Sequence, residues 1–312
     1  SVRLNTTRSH LGLTLMDSTT PQEAYFTSLR SYVPKQVSES NSHQPDLVLG
    51  TTEVLRWAST DGEEIEGLLT YPVGYEPGTR YPLLLVIHGG PAGYFTQSFI
   101  AYPRSLYPLA AFAVAGYAVL RVNPRGSGGY GYQFRQANYN DLGGGDFQDL
   151  MAGVDHVIEL GIADPQRLGV MGWSYGGFMT SWVVTHTDRF MAASIGAPVT
   201  DLVAFNGTAD IADFLPHYFG GDFWEREAVY REHSPLMHVA NANTPALIQH
   251  GRADARVPLG QGTAFYRALK RRGIETRMVT YPRSPHGPRE PRQVLHVMND
   301  NLAWFKSHIP VN

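Results

Sequence analysis

The 312-residue sequence contains no cysteine, which excludes disulfides, thiolate metal sites and a cysteine nucleophile. The compartment stays open, because exported and cytosolic proteins both occur without cysteine. An excess of charge of one sign is also missing. Lys and Arg number 25 against 28 Asp and Glu, a formal net charge of −3, so neither nucleic acid nor an anionic membrane is expected as partner. Long hydrophobic runs are absent. The longest, Leu109 to Leu120, is about half of the ~20 residues that a membrane span needs, and Arg121 follows at once. No His-x-x-x-His pair or other dense ligand set appears, so no metal and no cofactor is called for. Internal repeats and low-complexity tracts are lacking too. The two Asn-x-Thr sequons, at Asn5 and Asn206, are of a length that arises by chance. What is present is 43% hydrophobic residues, enough to fill the core of one large domain or two modest ones.

Along the chain, residues 1–50 read differently from the rest. HLGLTLM (His10 to Met16) and EAYFTSL (Glu23 to Leu29) have the character of short strands, followed by a polar linker, SESNSHQPD. A hairpin this small buries too little apolar area to stand alone. From Thr51 to the end the pattern is regular. TEVLRWAS and EEIEGLLTY flank an Asp61-Gly62 turn and predict an edge hairpin. Apolar strands then alternate with helices. Strands are predicted at Leu83 to His88, Tyr117 to Asn123, Arg167 to Gly172, Ala192 to Ala197, Ala246 to Gly251 and Thr276 to Tyr281. Helices are predicted at Phe147 to Leu160, Gly176 to His186, Gly260 to Arg272 and Pro291 to His308. Continuous apolar strands alternating with helices argue for an α/β architecture, a mostly parallel, doubly wound sheet. Ligands in such sheets bind at the carboxyl ends of strands.

One strand runs into Gly172-Trp173-Ser174-Tyr175-Gly176, and a helix runs out of it. Strand, Gly-x-Ser-x-Gly and helix together make Ser174 the candidate nucleophile, on the strained turn of an α/β-hydrolase fold. The backbone N–H of Tyr175, at the helix N-terminus, is the candidate for half of an oxyanion hole. The Gly-rich loop after the Leu83 to His88 strand offers the other half through Gly90.

In this fold the acid and then the histidine follow the serine. Of the histidines beyond Ser174, His186 ends the nucleophile helix, His217, His233 and His238 fall in an irregular region, and His296 and His308 lie on the last helix. His250 ends a strand but precedes every late acid. His286 remains, in the loop RSPHGPRE between the last strand and the last helix. Asp254 is the one carboxylate in HGRADARVP, the loop after the preceding strand. The alternative use of such an aspartate is helix capping.

Other signals read as structural. Gly126-Ser-Gly128-Gly-Tyr-Gly131 spells a dinucleotide fingerprint, but no helix is predicted to open directly from it. It reads as a loop lining the site, with Arg125 bracing it. Asp146 and Asp149 sit at a helix start, where acids suit the macrodipole. His88 reads as structural. The aromatic stretch Pro216 to Glu227 is a candidate pocket wall.

HGGP at His88 to Pro91, NPRGSGGYG at Asn123 to Gly131, GWSYGG at Gly172 to Gly177, HGRADARVP at His250 to Pro258 and YPRSPHGPREP at Tyr281 to Pro291 together resemble the prolyl oligopeptidase family. The closer likeness is to its acylaminoacyl-peptidase branch. The resemblance covers roughly residues 50 to 312. It implies a serine peptidase acting on short peptides through Ser174, Asp254 and His286, with Arg256 gripping a substrate carbonyl, a task suited to the fixed donors of a guanidinium. Prolyl and dipeptidyl branches carry a tyrosine where this sequence has His88, which removes side-chain help to the oxyanion there. Family members also carry an N-terminal β-propeller. Residues 1–50 then read as remnant propeller strands and linker, and 51–312 as the catalytic domain. The expectation follows that this chain is the catalytic part of a longer protein, with the propeller as a bound partner and a homo-oligomer as one way of restricting access. A carboxylesterase of the same fold, and more remotely a non-catalytic interaction protein on a hydrolase scaffold, are the alternatives.

Overall fold

A computed structural model describes residues 1–102 and 105–311. Two sheets account for its strands. The smaller is antiparallel, with β1 (Val2–Leu4), β2 (His10–Leu15), β3 (Glu23–Ser28) and β4 (Lys35–Gln36) pairing in sequence order. The sequence predicts only its two central strands. The outer ones are three and two residues long and exposed throughout, so they carry no alternation of burial to read. The Glu23 carboxylate gathers the Ser38 hydroxyl and the N–H groups of Ser40 and Asn41, which fastens the linker to β3.

The larger sheet has the order β12-β11-β10-β9-β7-β8-β6-β5. Its edge hairpin, β5 (Thr52–Ala58) and β6 (Glu64–Thr70), is antiparallel and turns at Gly62, whose φ of 90° suits glycine. The other six strands run parallel: β7 (Tyr81–Ile87), β8 (Ala118–Asn123), β9 (Ala163–Trp173), β10 (Ala192–Gly196), β11 (Ala246–Gly251) and β12 (Thr276–Tyr281). Strand β9 begins before its predicted start, where Arg167 pairs with Asp164 and donates to the Arg80 and Val311 carbonyls.

The sheet is apolar on both faces because helices cover both. Alternate residues of β7 show it: Leu83, Leu85 and Ile87 join a cluster with Leu150, Phe178 and Phe265, while Leu84 and Val86 join Phe112 and Phe305 on the other side. The first cluster is roofed by α3 (Gly145–Glu159), α4 (Tyr175–His186) and α8 (Leu259–Arg271), the second by α1 (Leu109–Val114) and α9 (Pro291–His308). The apolar run from Leu109 therefore splits, part helix and part strand, around Gly116 at a φ of 91°.

Two expectations need correction. A helix, α2 (Tyr132–Gln136), does open from the Gly126–Gly131 loop, capped by Gly131, although it lasts only five residues. The region read as irregular holds α5 (Leu202–Thr208), α6 (Phe214–Phe219), α7 (Glu227–Glu232) and a 3₁₀ turn at Pro235–Asn241, each too short to show a periodicity. Asn206 lies on α5 and is 9% exposed, a poor acceptor for glycosylation.

Candidate active site

Strand β9 delivers Trp173 to the middle of the carboxyl edge, and α4 starts at Tyr175. Ser174 bridges them at φ 66°, ψ −121°, a conformation that a non-glycine residue holds only under constraint. The constraint is visible. The Ser174 N–H donates to the Gly196 carbonyl at 2.9 Å, and a Cβ on Gly172 would lie 2.3 Å from the Gly176 carbonyl oxygen, so strand and helix meet only through glycine.

Two loops bring side chains to this turn. His286, after β12, places Nε2 2.8 Å from Ser174 Oγ and Nδ1 2.8 Å from Asp254 Oδ2. With Nδ1–H donating to the carboxylate, Nε2 accepts from the serine hydroxyl. The two loops are laced together, for Ala253 N–H donates to Ser284 O at 2.9 Å. Trp173 Nε1–H donates to the His286 carbonyl at 2.6 Å, so a residue of the serine turn also steers the histidine loop.

The Asp254 side chain is fully buried. Burial alone would raise its carboxyl, but hydrogen bonds from His250, His286 and the Val257 N–H outweigh it and hold it well below the usual carboxylate range. His250, set aside as a base because it precedes the acid, belongs to this support. Its Nε2 lies 2.8 Å from Val257 O and 3.5 Å from Asp254 Oδ2. The signal was its place at the end of β11, four residues before the acid.

Gly90 and Tyr175 line the same cavity as Ser174, together with Leu142, Phe178, Phe205, Phe214 and Arg256. The space is about 70 Å³, and its walls are predominantly apolar. Gly90 has a φ of 137°, and a Cβ there would meet Gly93 N at 2.3 Å, so the loop needs glycine. His88 is buried away from Ser174, with Nε2 2.9 Å from Ser127 Oγ and its ring against Phe95; burial pushes its imidazole down to about 4. Ser127 thereby ties the glycine-rich Gly126–Gly131 loop to the His88–Pro91 loop. Arg256 is ion-paired with Asp210 on the segment between α5 and α6, a partner that sequence spacing does not reveal.

The macrodipole reading of Asp146 and Asp149 is too small a role. Both are completely buried. Asp149 pairs with Arg125, and Asp146 accepts from Gly143 N–H, Phe147 N–H and the Tyr175 hydroxyl. Burial raises the Asp146 carboxyl to about 7 against those hydrogen bonds.

Among the described residues no group of three or more His, Asp or Glu is placed to hold a metal, and no helix is long and apolar enough to cross a membrane.

Residues 105–311 match the model of the prolyl oligopeptidase family peptidases. An uncharacterized peptidase of Bacillus subtilis, YuxL, is 36% identical over 93% of this chain, and the acylamino-acid-releasing enzyme of Arabidopsis thaliana is 33% identical over 75%. The chain spans 44% and 31% of those relatives. The acylaminoacyl peptidase of Pyrococcus horikoshii superposes on 99% of the chain at a TM-score of 0.89 and 27% identity, with 49% of its own length covered. An acylaminoacyl peptidase solved with Z-Gly-Gly-Phe-chloromethyl ketone superposes at 0.90 over the whole chain, 27% identical and again 49% covered. The large sheet is thus that of an α/β-hydrolase, and the four-stranded sheet has the form of propeller strands. The chain belongs to the prolyl oligopeptidase family.

Proposed function

We propose that this chain is the catalytic part of a serine peptidase that cleaves short peptides after an apolar residue, in the manner of acylaminoacyl peptidases. The observation that carries the reading is the hydrogen-bonded series Ser174–His286–Asp254 at the mouth of an apolar cavity. Ser174 Oγ attacks the scissile carbonyl while His286 Nε2 takes its proton. The C–N bond then breaks, the proton passes to the leaving amine, and water releases the acyl group by the same steps. Asp254 keeps the imidazole in the tautomer that accepts at Nε2 and stabilises the cation that forms. The N–H groups of Tyr175 and Gly90 receive the developing oxyanion, each contributing about 3 kcal/mol to the transition state. Leu142, Phe178, Phe205 and Phe214 take the apolar side chain on the acyl side, and Arg256 grips the next carbonyl. The phenylalanine beside the reactive group of the inhibitor named above is a side chain of that class. Residues 1–50 act as a propeller-side attachment and 51–312 as the catalytic domain.

The test is release of p-nitroaniline from phenylalanyl p-nitroanilide and its N-acetyl form, by the wild type and by Ser174→Ala. We expect turnover of at least one anilide and a fall of roughly 10⁴-fold or more in the variant. Turnover of a p-nitrophenyl ester with neither anilide touched would favour the carboxylesterase reading instead.

A further inference from the structure

A second cavity, of about 730 Å³, lies between the four-stranded sheet and the α1 side of the large sheet, within the size range of ligand sites. Met16, Gln22 and Asn41 line it from one side, and Phe95, Phe99 and Ile100 from the other. Among the described residues its wall holds one formal charge, the guanidinium of Arg121, and no carboxylate. Arg121 stands on β8 opposite Val86 and Leu68, on the face that Val119 shares, where the pattern would place an aliphatic residue. It is 2% exposed and makes no ion pair among the described residues. Among the described residues Nε and Nη2 have no hydrogen-bond partner, and Nη1 has one long contact, 3.5 Å to Thr96 O. The Phe95 ring, 5.8 Å away, offers a π face but no counter-charge. The buried Tyr107 hydroxyl, on the same wall, is also without a partner among the described residues. Buried charges in folded proteins are paired as a rule, and buried donors are satisfied. Among the described residues, one cation without a counter-charge and one hydroxyl without a hydrogen-bond partner line this single cavity.

We propose that this cavity is a binding site for a carboxylate on an apolar stem, with the carboxylate at Arg121 and Tyr107 and the stem along Phe95, Phe99 and Ile100. A single guanidinium balances one negative charge. A dianionic phosphate would bring a second charge into walls that are mostly apolar. The carboxylate is supplied either by a free organic acid or by an Asp or Glu of polypeptide outside residues 1–312, and the chemistry at Arg121 is the same. This inference does not depend on the assignment of Ser174, His286 and Asp254.

Isothermal titration with hexanoate, and with hexanamide as its uncharged isostere, tests it on the 312-residue chain and on the full-length gene product. Binding of a free acid appears in both forms, with one hexanoate per chain, hexanamide at least tenfold weaker, binding abolished by Arg121→Met and weakened severalfold by Tyr107→Phe. If a side chain of the longer polypeptide occupies the cavity, hexanoate fails to bind the full-length product, and Arg121→Met lowers its Tm. The proposal is overturned if hexanoate and hexanamide bind alike, or if Arg121→Met and Tyr107→Phe both leave hexanoate binding intact. It is equally overturned if hexanoate binds neither form and Arg121→Met fails to lower the Tm of the full-length product. The hexanoate–hexanamide contrast on wild type and the Tyr107→Phe arm stand even if Arg121→Met does not fold.

Discussion

Arg125 and Arg121 lie on one short stretch of chain, the second on β8 and the first just past its end, yet their surroundings differ in kind. Arg125 donates to both oxygens of buried Asp149, at 2.8 and 3.0 Å, and to both oxygens of Asp61, at 2.7 and 2.9 Å. It thereby ties α3, the β5–β6 turn and the glycine-rich loop that packs on His88. Arg121 has its aromatic neighbour and one long carbonyl contact. The contrast extends to the regions around them. On the catalytic side buried charges find partners within the domain: Asp254 has His250, His286 and Val257, and Asp149 has Arg125. Beneath the four-stranded sheet the Arg121 charge has no counter-charge among the described residues. A region whose buried charges are paired internally is finished by its own fold, whereas an unpaired buried charge marks a surface shaped for something that joins it.

Exchanging each arginine for methionine separates the two cases most strongly. Arg125→Met strands the Asp149 carboxylate in the interior and is expected to cost about 3–5 kcal/mol, read as a lower urea midpoint at unchanged slope. Arg121→Met in the same chain removes a charge with no counter-charge among the described residues and is expected to be neutral or stabilising. Equal losses for both variants would break the comparison, since Arg121 would then have to be paired in solution already.

What the sequence disclosed follows the same division. Strand β9, the serine turn and α4 were readable because an apolar strand, three small residues and a helix follow one another along the chain. The meeting of Ser174, His286 and Asp254 was readable because each closes its own strand in a sheet whose strand ends share one edge. Local pattern did not disclose partners chosen across the fold: Trp173 on the His286 carbonyl, His250 on Asp254, Tyr175 on Asp146, Asp210 on Arg256. Nor did it show β1, β4, α5, α6 and α7, which are too short or too exposed to leave a period. At Gly126–Gly131 the helix that follows was missed because one turn of helix has no amphipathic signature.

A subtler probe of the catalytic side is Asp146, which accepts three hydrogen bonds and still has its carboxyl raised by burial to about 7. A raised folded-state value means that the native state holds the proton more tightly than the unfolded chain. The stabilisation is therefore fully present below the unfolded value of 3.8 and is lost as pH rises through about 7. Asp146→Asn removes this dependence. Urea denaturation at pH 5 and pH 8 is expected to show the wild type losing stability relative to the variant at the higher pH. A difference between the two proteins that does not change with pH would mean that Asp146 ionises as an ordinary carboxylate.

The smallest effect is expected at Asp210, on the exposed rim of the catalytic side. Asp210 and Arg256 are both nearly half exposed, and surface pairs of this kind contribute about 0–1 kcal/mol, so Asp210→Asn should leave the urea midpoint almost unchanged. If Arg256 grips the acyl-side carbonyl, its guanidinium must be held at the cavity mouth before substrate arrives, and Asp210 is the group that holds it. Releasing it should raise KM about threefold to fivefold, the equivalent of ~1 kcal/mol, with kcat near the wild-type value, because the interaction is made equally in the ground and transition states. Arg256→Met should raise KM further in the same direction, and adding Asp210→Asn to it should change nothing more, since the positioning residue then has nothing to position. A double variant worse than Arg256→Met alone would mean that Asp210 meets the substrate itself. A fall in kcat with KM unchanged would place the pair in the chemical step rather than in binding.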